Sequence, residues 1–261
     1  MDERIAIQLK TENKAFNVQK FDHPYPHCWR TDKPVLYYPL DSWFIKTTAV
    51  KDKLIELNNT INWKPESTGT GRFGNWLENL VDWNLSRSRY WGTPLPIWRT
   101  EDGSEELCFG SVEDLVQALN QAINSGKLSP DQQKGNAAFI AAAQAGEADL
   151  HRPYVDNIYV LSTLGVVMAR EADLIDVWFD SGAMPFAQWH YPFENQEIFK
   201  QSYPADFISE GVDQTRGWFF TLHAISTMVE ESVAFKNVVS TGLVLDKNGN
   251  RLVATPAQAQ S

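Results

Sequence analysis

The chain has little cysteine: Cys28 and Cys108 are its only thiols, far apart and without partners at metal-ligand spacing. That argues against a disulfide framework and against a four-ligand zinc site, and makes a reducing cytoplasm the expected setting. Basic residues are also in deficit, with 23 Lys and Arg against 33 Asp and Glu, a formal charge of −10 and a pI near 5.0. Polybasic nucleic-acid arms and anionic-membrane patches work through clustered Lys and Arg, so any nucleic-acid contact must be local. No apolar run approaches the roughly 18 residues that suggest a membrane span, and no charged, apolar, small-residue leader opens the chain. No Gly-rich phosphate loop follows any expected strand, which disfavours an unrelated α/β nucleotide binder.

What is present is enough to fold. The 261 residues are 43% hydrophobic, sufficient for one large domain or two modest ones. Tryptophan occurs ten times, more than core packing alone usually demands.

Residues 1 to about 48 are rich in proline and aromatics and read as strands and turns. Lys51 to Asn58 reads as a short helix, Ser67-Thr-Gly-Thr-Gly71 as a loop, and Phe73, Trp76, Leu77, Leu80 and Trp83 as one aromatic helix face. Trp91 to Trp98, carrying Pro94 and Pro96, can only be an edge or irregular strand. Ser111 opens a helix with Asp114 three residues after the cap and Gly126 at its stop, and residues 136–146 form a simpler second helix. We take about 99–175 as an inserted module. After it, Asp206 to Ser209 suits a strand, Asp213 to Val229 a helix with Trp218, Phe219, Leu222 and Ile225 inward, and Val238 to Leu245 a second strand. Strand, helix and strand at that spacing make a βαβ unit with a parallel pair, and the chain as a whole is of the α/β class.

Three clusters carry candidate chemistry. The first, Glu210, Gly211, Asp213 and Gln214, falls where a parallel strand ends and a helix begins, the edge at which open α/β sheets bind ligands. Gly211 lets backbone approach a ligand, Glu210 and Asp213 offer acceptors for an ammonium or ribose hydroxyls, and Gln214 can donate and accept. Trp218, one turn on, can present its face to the same pocket. Carboxylates beside an indole wall suit a small ligand with a cation and an aliphatic tail. The plainer alternative makes Asp213 an N-cap, Glu210 a solvated loop residue and Trp218 core.

The second cluster is Asp176-Val-Trp-Phe-Asp-Ser-Gly182, in which Trp178 is a candidate opposite wall and an ordinary strand and turn entering a helix is the alternative. The third, Asp82-Trp-Asn-Leu-Ser-Arg-Ser-Arg-Tyr-Trp-Gly-Thr-Pro-Leu-Pro-Ile-Trp98, combines two arginines with a rigid path. It reads as an anion contact or as surface arginine beside packed tryptophan.

Together, Tyr25-Pro-His-Cys-Trp-Arg30, Trp83 to Pro96, Asp176 to Gly182 and Glu210-Gly-Val-Asp-Gln-Thr-Arg-Gly-Trp218 resemble a class I aminoacyl-tRNA synthetase, and its isoleucyl member in particular, over nearly the whole chain. The Asp-Gln-x-Arg-Gly-Trp run carries the isoleucyl assignment. The resemblance implies the C-terminal half of a Rossmann-like parallel sheet with an inserted α+β connective module. Residues 1–48 would be the exit segment of the editing domain, 49–98 the start of the returning catalytic domain, 99–175 the second connective module and 176–250 the second half of the catalytic fold. It also implies that Glu210, Gly211, Asp213 and Gln214 hold isoleucyl-adenylate, with Glu210 or Asp213 near the α-ammonium. Trp178 and Trp218 would sandwich the branched side chain, and Thr241 and Gly242 would lie along the adenosine. The implied partners are isoleucine, ATP with Mg, tRNA(Ile) and the rest of the synthetase chain. The implied reaction makes an adenylate and transfers it to the terminal ribose of the tRNA, with no residue here as nucleophile or general base. An aliphatic pocket separates isoleucine from valine by about 1 to 3 kcal/mol, a limit that isoleucyl enzymes themselves illustrate.

The sequence departs from the family pattern in three places. It has no His-x-Gly-His segment; after Asp246-Lys-Asn-Gly-Asn250 it continues as Arg251-Leu-Val-Ala-Thr-Pro rather than as a Lys-Met-Ser-Lys-Ser loop; and it lacks a Thr-rich editing pocket. Some relatives carry a zinc knuckle, but the corresponding places here, Arg99 to Gly103 and Leu161 to Gly165, hold no cysteine, so zinc is not expected. The expectation is therefore a piece of a larger synthetase that folds without catalysing, with residues 251–261 disordered. The alternative from another class is a non-catalytic synthetase-like binding or interaction module.

Overall fold

The computed structural model describes residues 2–19, 24–28, 31–36, 38–247 and 249. The Trp29-Arg30 end of the first motif and the expected tail at 251–261 lie outside the described residues. The chain divides into two compact units, Met1–Asp41 and Ser42–Ser261. The first contains a helix at Asp2–Thr11 and a bridge between His27 and Pro34, with the Tyr25 hydroxyl donating to Val35 O at 2.6 Å.

The second unit is built around a three-stranded parallel sheet. Asn237–Thr241 is its centre, flanked by Ile208–Gly211 on one side and Asn62–Lys64 on the other. The expected βαβ unit is therefore present, its crossover made by a 13-residue helix at Trp218–Glu230. That helix is apolar nearly all round because it is the core's central element: Phe219 and Ala224 are fully buried, and Leu222 and Ile225 nearly so. Trp63 packs edge-on to Phe219 and Phe235, ring centroids 5.6 and 6.3 Å apart, and its indole N–H donates to Asn58 Oδ1 at 2.9 Å, so its one polar atom is satisfied inside the core.

Several element boundaries differ from the sequence reading. The Ser67–Gly71 stretch is not a loop. It is helical, with a π-helix over Thr68–Phe73 that runs on as regular helix through Gly74–Glu78. The cause is close packing: a Cβ at Gly69 would fall 2.2 Å from Trp63 Cδ1, while Gly69 O accepts from the buried Asn58 amide at 3.1 Å. Trp83 does not continue this helix; it lies in a short strand, Trp83–Asn84, paired with Phe44–Ile45. The helix expected at 136–146 starts six residues earlier, at Pro130, because Ser129 and Gln132 form a reciprocal capping box ahead of a proline at the first position. The strand expected to reach Leu245 ends at Thr241.

Residues Ile97–Arg170 contain a second, four-stranded antiparallel sheet in the order Glu106–Cys108, Ile97–Arg99, Val167–Arg170, Tyr159–Leu161. The helices Val112–Asn124 and Pro130–Gln144 cover it and share a separate core of Trp98, Leu115, Leu119, Phe139, Ile158, Val160 and Met168. Ser111 caps the first helix by accepting from Asp114 N, as its position promised. Asn136, fully buried, accepts from Tyr159 N and donates to Tyr159 O, both at 2.8 Å, which clamps the second helix to the sheet.

Candidate functional site

The strand Ile208–Gly211 ends at the carboxyl-end edge of the parallel sheet, where Gly211 lies opposite Thr241 and Glu210 opposite Ser240. The chain then makes a 3-10 turn over Val212–Arg216, breaks at Gly217 and enters the central helix at Trp218. The single helix expected from Asp213 is thus two elements. Close approach at Gly217 explains the break: a Cβ there would lie 2.8 Å from Gln214 Oε1 and 3.1 Å from the Trp178 ring.

This turn gives the cap of the central helix to a residue other than the one the sequence offered. Gln214, not Asp213, satisfies the first helical N–H: its Oε1 accepts from Trp218 N at 3.0 Å. The amide's acceptor is committed inside the protein, and its nitrogen donates one N–H to Asp213 Oδ2 at 3.5 Å, which leaves the second N–H. Asp213 instead folds back over the strand end, so that a Cβ at Gly211 would meet Asp213 Oδ1 at 2.5 Å. Glu210 is exposed, as are Thr241 and Gly242, and a Cβ at Gly242 would meet open space.

The two tryptophans reach the corner by different routes. Trp178 stands on a short helix, Val177–Gly182, with 43% of its surface exposed and its six-membered ring against Gly217. Trp218 is half-buried and donates its indole N–H to Ser181 O at 3.0 Å. That bond ties the glutamate-bearing corner to the Asp176–Gly182 segment. The helices themselves touch at Gly182, where a Cβ would come within 2.8 Å of Thr221 Cβ.

Asp176 organises the second cluster and was missed as a functional group by the sequence reading. It is 4% exposed; Oδ2 accepts from Arg87 Nη2 at 2.7 Å and from Trp83 Nε1 at 3.1 Å, and Oδ1 caps the helix by accepting from Trp178 N at 3.3 Å. The Trp-Asn-Leu-Ser-Arg segment thereby joins the other two clusters, helped by antiparallel pairing of Ser86–Arg87 with Leu174–Ile175. Of the two arginines in that segment, Arg87 spends its charge on the protein's own Asp176 carboxylate, while Arg89 is exposed. Burial pushes the nearby Asp180 carboxyl above its ordinary value; a hydrogen bond with Thr93 opposes this and the like charge of Asp176 adds to it.

A half-open, largely apolar cavity of about 520 Å³ lies elsewhere, between Pro94–Trp98 and Phe109–Leu115. The corner is an open sheet edge, and it is the corner that gathers carboxylates, amide and indoles. Among the described residues no group of three His, Cys, Asp or Glu could enclose a metal ion, and no helix is long and apolar enough to cross a membrane.

Over residues 7–255 the chain matches the family described as tRNA synthetases class I (I, L, M and V). It is 69% identical over 252 residues to the isoleucine–tRNA ligase of Cytophaga hutchinsonii, an alignment covering 97% of this chain and 21% of that protein. The isoleucine–tRNA ligase of Bacteroides fragilis is 64% identical over 258 residues, covering 97% and 22%. The chain therefore spans about a fifth of the length of the curated relatives it matches. Among solved structures, methionyl-tRNA synthetase of Mycobacterium tuberculosis bound by methionyl-adenylate aligns over 87% of this chain and 32% of its own, with 14% identity and a TM-score of 0.45.

Proposed function

Because the chain belongs to the class I tRNA synthetases, we propose that it is the part of an isoleucine–tRNA ligase that holds isoleucine and its adenylate. The observation that carries this reading is the convergence of three sequence clusters on one sheet edge: Arg87 and Trp83 on Asp176, Trp218 on Ser181, and Trp178 on Gly217. In this reading Glu210 or Asp213 receives the α-ammonium and Gln214 Nε2 donates to the ligand. The faces of Trp178 and Trp218 flank the branched side chain, and Thr241 and Gly242 border the adenosine. The division of labour along the chain is the one the motifs imply: residues 1–48 leave the editing domain, 99–175 form a connective module, and 49–98 with 176–250 belong to the catalytic fold.

The chemistry asked of these groups is positioning. Isoleucine attacks the α-phosphate of ATP, pyrophosphate leaves, and the terminal ribose hydroxyl of tRNA(Ile) then displaces AMP from the aminoacyl carbonyl. Neither step needs a side-chain nucleophile, and orientation with charge stabilisation supplies the acceleration. Magnesium, which binds few protein groups and rides on substrate phosphates, would enter with ATP. The reading needs no zinc, and its setting is the cytoplasm.

Isothermal titration with a non-hydrolysable isoleucyl-adenylate mimic tests this. Binding that weakens at least about tenfold for a leucyl mimic and on Trp178→Ala supports it; indifference to both would sink it. We further hold that the chain by itself does not activate isoleucine. Isoleucine-dependent exchange of pyrophosphate into ATP would overturn that part, leaving the binding part intact.

A further inference from the structure

We propose that Arg72 and Arg216 form a phosphate-binding pair beside the βα corner, a subsite resting on the adenylate reading above for its choice of ligands. In this acidic chain four of the eight described arginines are neutralised in place: Arg87 pairs with Asp176, Arg99 with Glu171, and Arg152 and Arg170 with Asp156. Among the described residues the other four, Arg4, Arg72, Arg89 and Arg216, have no carboxylate within salt-bridge distance, and of these Arg72 and Arg216 flank the corner. They are held instead by uncharged partners. Arg72 Nε donates to the fully buried Thr215 hydroxyl at 2.9 Å, and the Arg216 guanidinium lies over the Trp76 ring, 5.4 Å from its centroid.

These two contacts straddle one seam. Arg72 and Trp76 are four residues apart on the same helical run, and Thr215 and Arg216 are consecutive on the 3-10 turn that carries Asp213 and Gln214. Each contact fixes a guanidinium while leaving its remaining N–H donors unspent, which is the condition for a rigid fork that meets a tetrahedral oxyanion. Cation–π contact with Trp76 leaves the Arg216 charge uncancelled. Thr215 passes the tether inward, donating its own hydroxyl to Val212 O at 2.8 Å, so a phosphate on Arg72 would bear on the turn presenting Gln214. The shared chemistry is a phosphate oxygen, supplied either by a nucleotide or by the backbone of an RNA end approaching the corner.

The test uses this chain, its Arg72→Gln/Arg216→Gln double variant, and an Arg4→Gln variant altering an exposed arginine of the first unit as control. Fluorescence anisotropy reads binding of a labelled single-stranded RNA ending in CCA, and calorimetry reads ATP and inorganic pyrophosphate. We expect the double variant to lose about tenfold or more in RNA affinity, with the salt slope shallower by about 1.4, two phosphate contacts on a single strand. Loss confined to RNA assigns the pair to a polynucleotide, and loss confined to ATP and pyrophosphate assigns it to a nucleotide. The proposal is overturned if the unaltered chain binds none of the three, or if the double variant loses no more than Arg4→Gln. The adenylate mimic is titrated in parallel: its failure to bind would strike the adenylate reading, while the anisotropy would still judge the pair. An Arg72→Lys/Arg216→Lys variant, keeping charge without the fork, should recover only part of the affinity.

Discussion

Arg87 Nη2 lies 2.7 Å from Asp176 Oδ2, joining segments 89 residues apart. The carboxylate is buried and its other oxygen caps the helix that carries Trp178, so one group both neutralises a cation and aims an indole. Removing it leaves Arg87 Nη2 and the Trp83 N–H without their acceptor, while Arg87 Nη1 keeps its bonds to Asn84 and Ser86 O.

Asp176→Ala should therefore cost about 2 to 3 kcal/mol, below the full value of a buried pair because the Arg87 side chain is 37% exposed. Asp176→Asn keeps an acceptor for Trp83 or for the cap and should cost roughly half as much. Urea unfolding midpoints measure both. Equal stability of Asp176→Ala and the unaltered chain would remove Asp176 from its organising position.

Gly182→Ala tests how closely the two helices at the corner must approach. The added Cβ would lie 2.8 to 2.9 Å from Thr221 Cβ, C and O, and backbone cannot move aside as a flexible side chain can. We expect a loss of about 1 to 3 kcal/mol together with weaker binding of the adenylate mimic, since Trp218 bonds to the neighbouring Ser181. Unchanged affinity and stability would show that the helices separate freely.

Stability should fall in mild acid because of His223. Its Nε2 donates to Leu54 O at 2.8 Å, its Nδ1 has no partner among the described residues, and complete burial takes its pKa from 6.5 down to about 4. The unfolded chain takes up a proton near 6.5 and the folded chain only near 4. The contribution is therefore whole above the upper value, is lost as pH falls through the window, and is gone below the lower one. Its size is roughly 3 kcal/mol, two and a half pKa units. A His223→Leu variant should show a shallower decline of unfolding free energy between these pH values, by about one proton.

Asn136→Leu should destabilise the four-stranded sheet and its helices selectively. It strands Tyr159 N–H and C=O, each now bonded at 2.8 Å, at a cost of about 2 to 4 kcal/mol. Amide hydrogen exchange should quicken across Tyr159–Leu161 and Val167–Arg170 while the parallel sheet keeps its protection.

Much of this architecture was legible in residue order. The helix Lys51–Asn58, the Ser111 cap and the parallel pair all follow from periodicity and capping chemistry. What escaped depends on partners far away in sequence. A Thr-Gly-Thr-Gly run looks like a loop until Trp63 is seen lying over Gly69. Asp213 looks like an N-cap until Gln214 takes the Trp218 N–H, and Asp176 looks like a turn residue until Arg87 arrives. Glu210, Asp213, Gln214, Trp178 and Trp218 share one corner, yet only the distances show which of their atoms are already spent on the fold.

The π-helix at Thr68–Phe73 has a mechanical consequence. Gly69 O is anchored to Asn58 on one side of it and Arg72 to Thr215 on the other. Deleting one residue between these anchors would turn everything beyond by about 100°. The core could then keep its grip on Asn58 only by swinging Arg72 off Thr215. The wide turn thus works as a phase adjuster, letting one continuous rod serve two fixed docking points whose angular spacing an ordinary helix could not match.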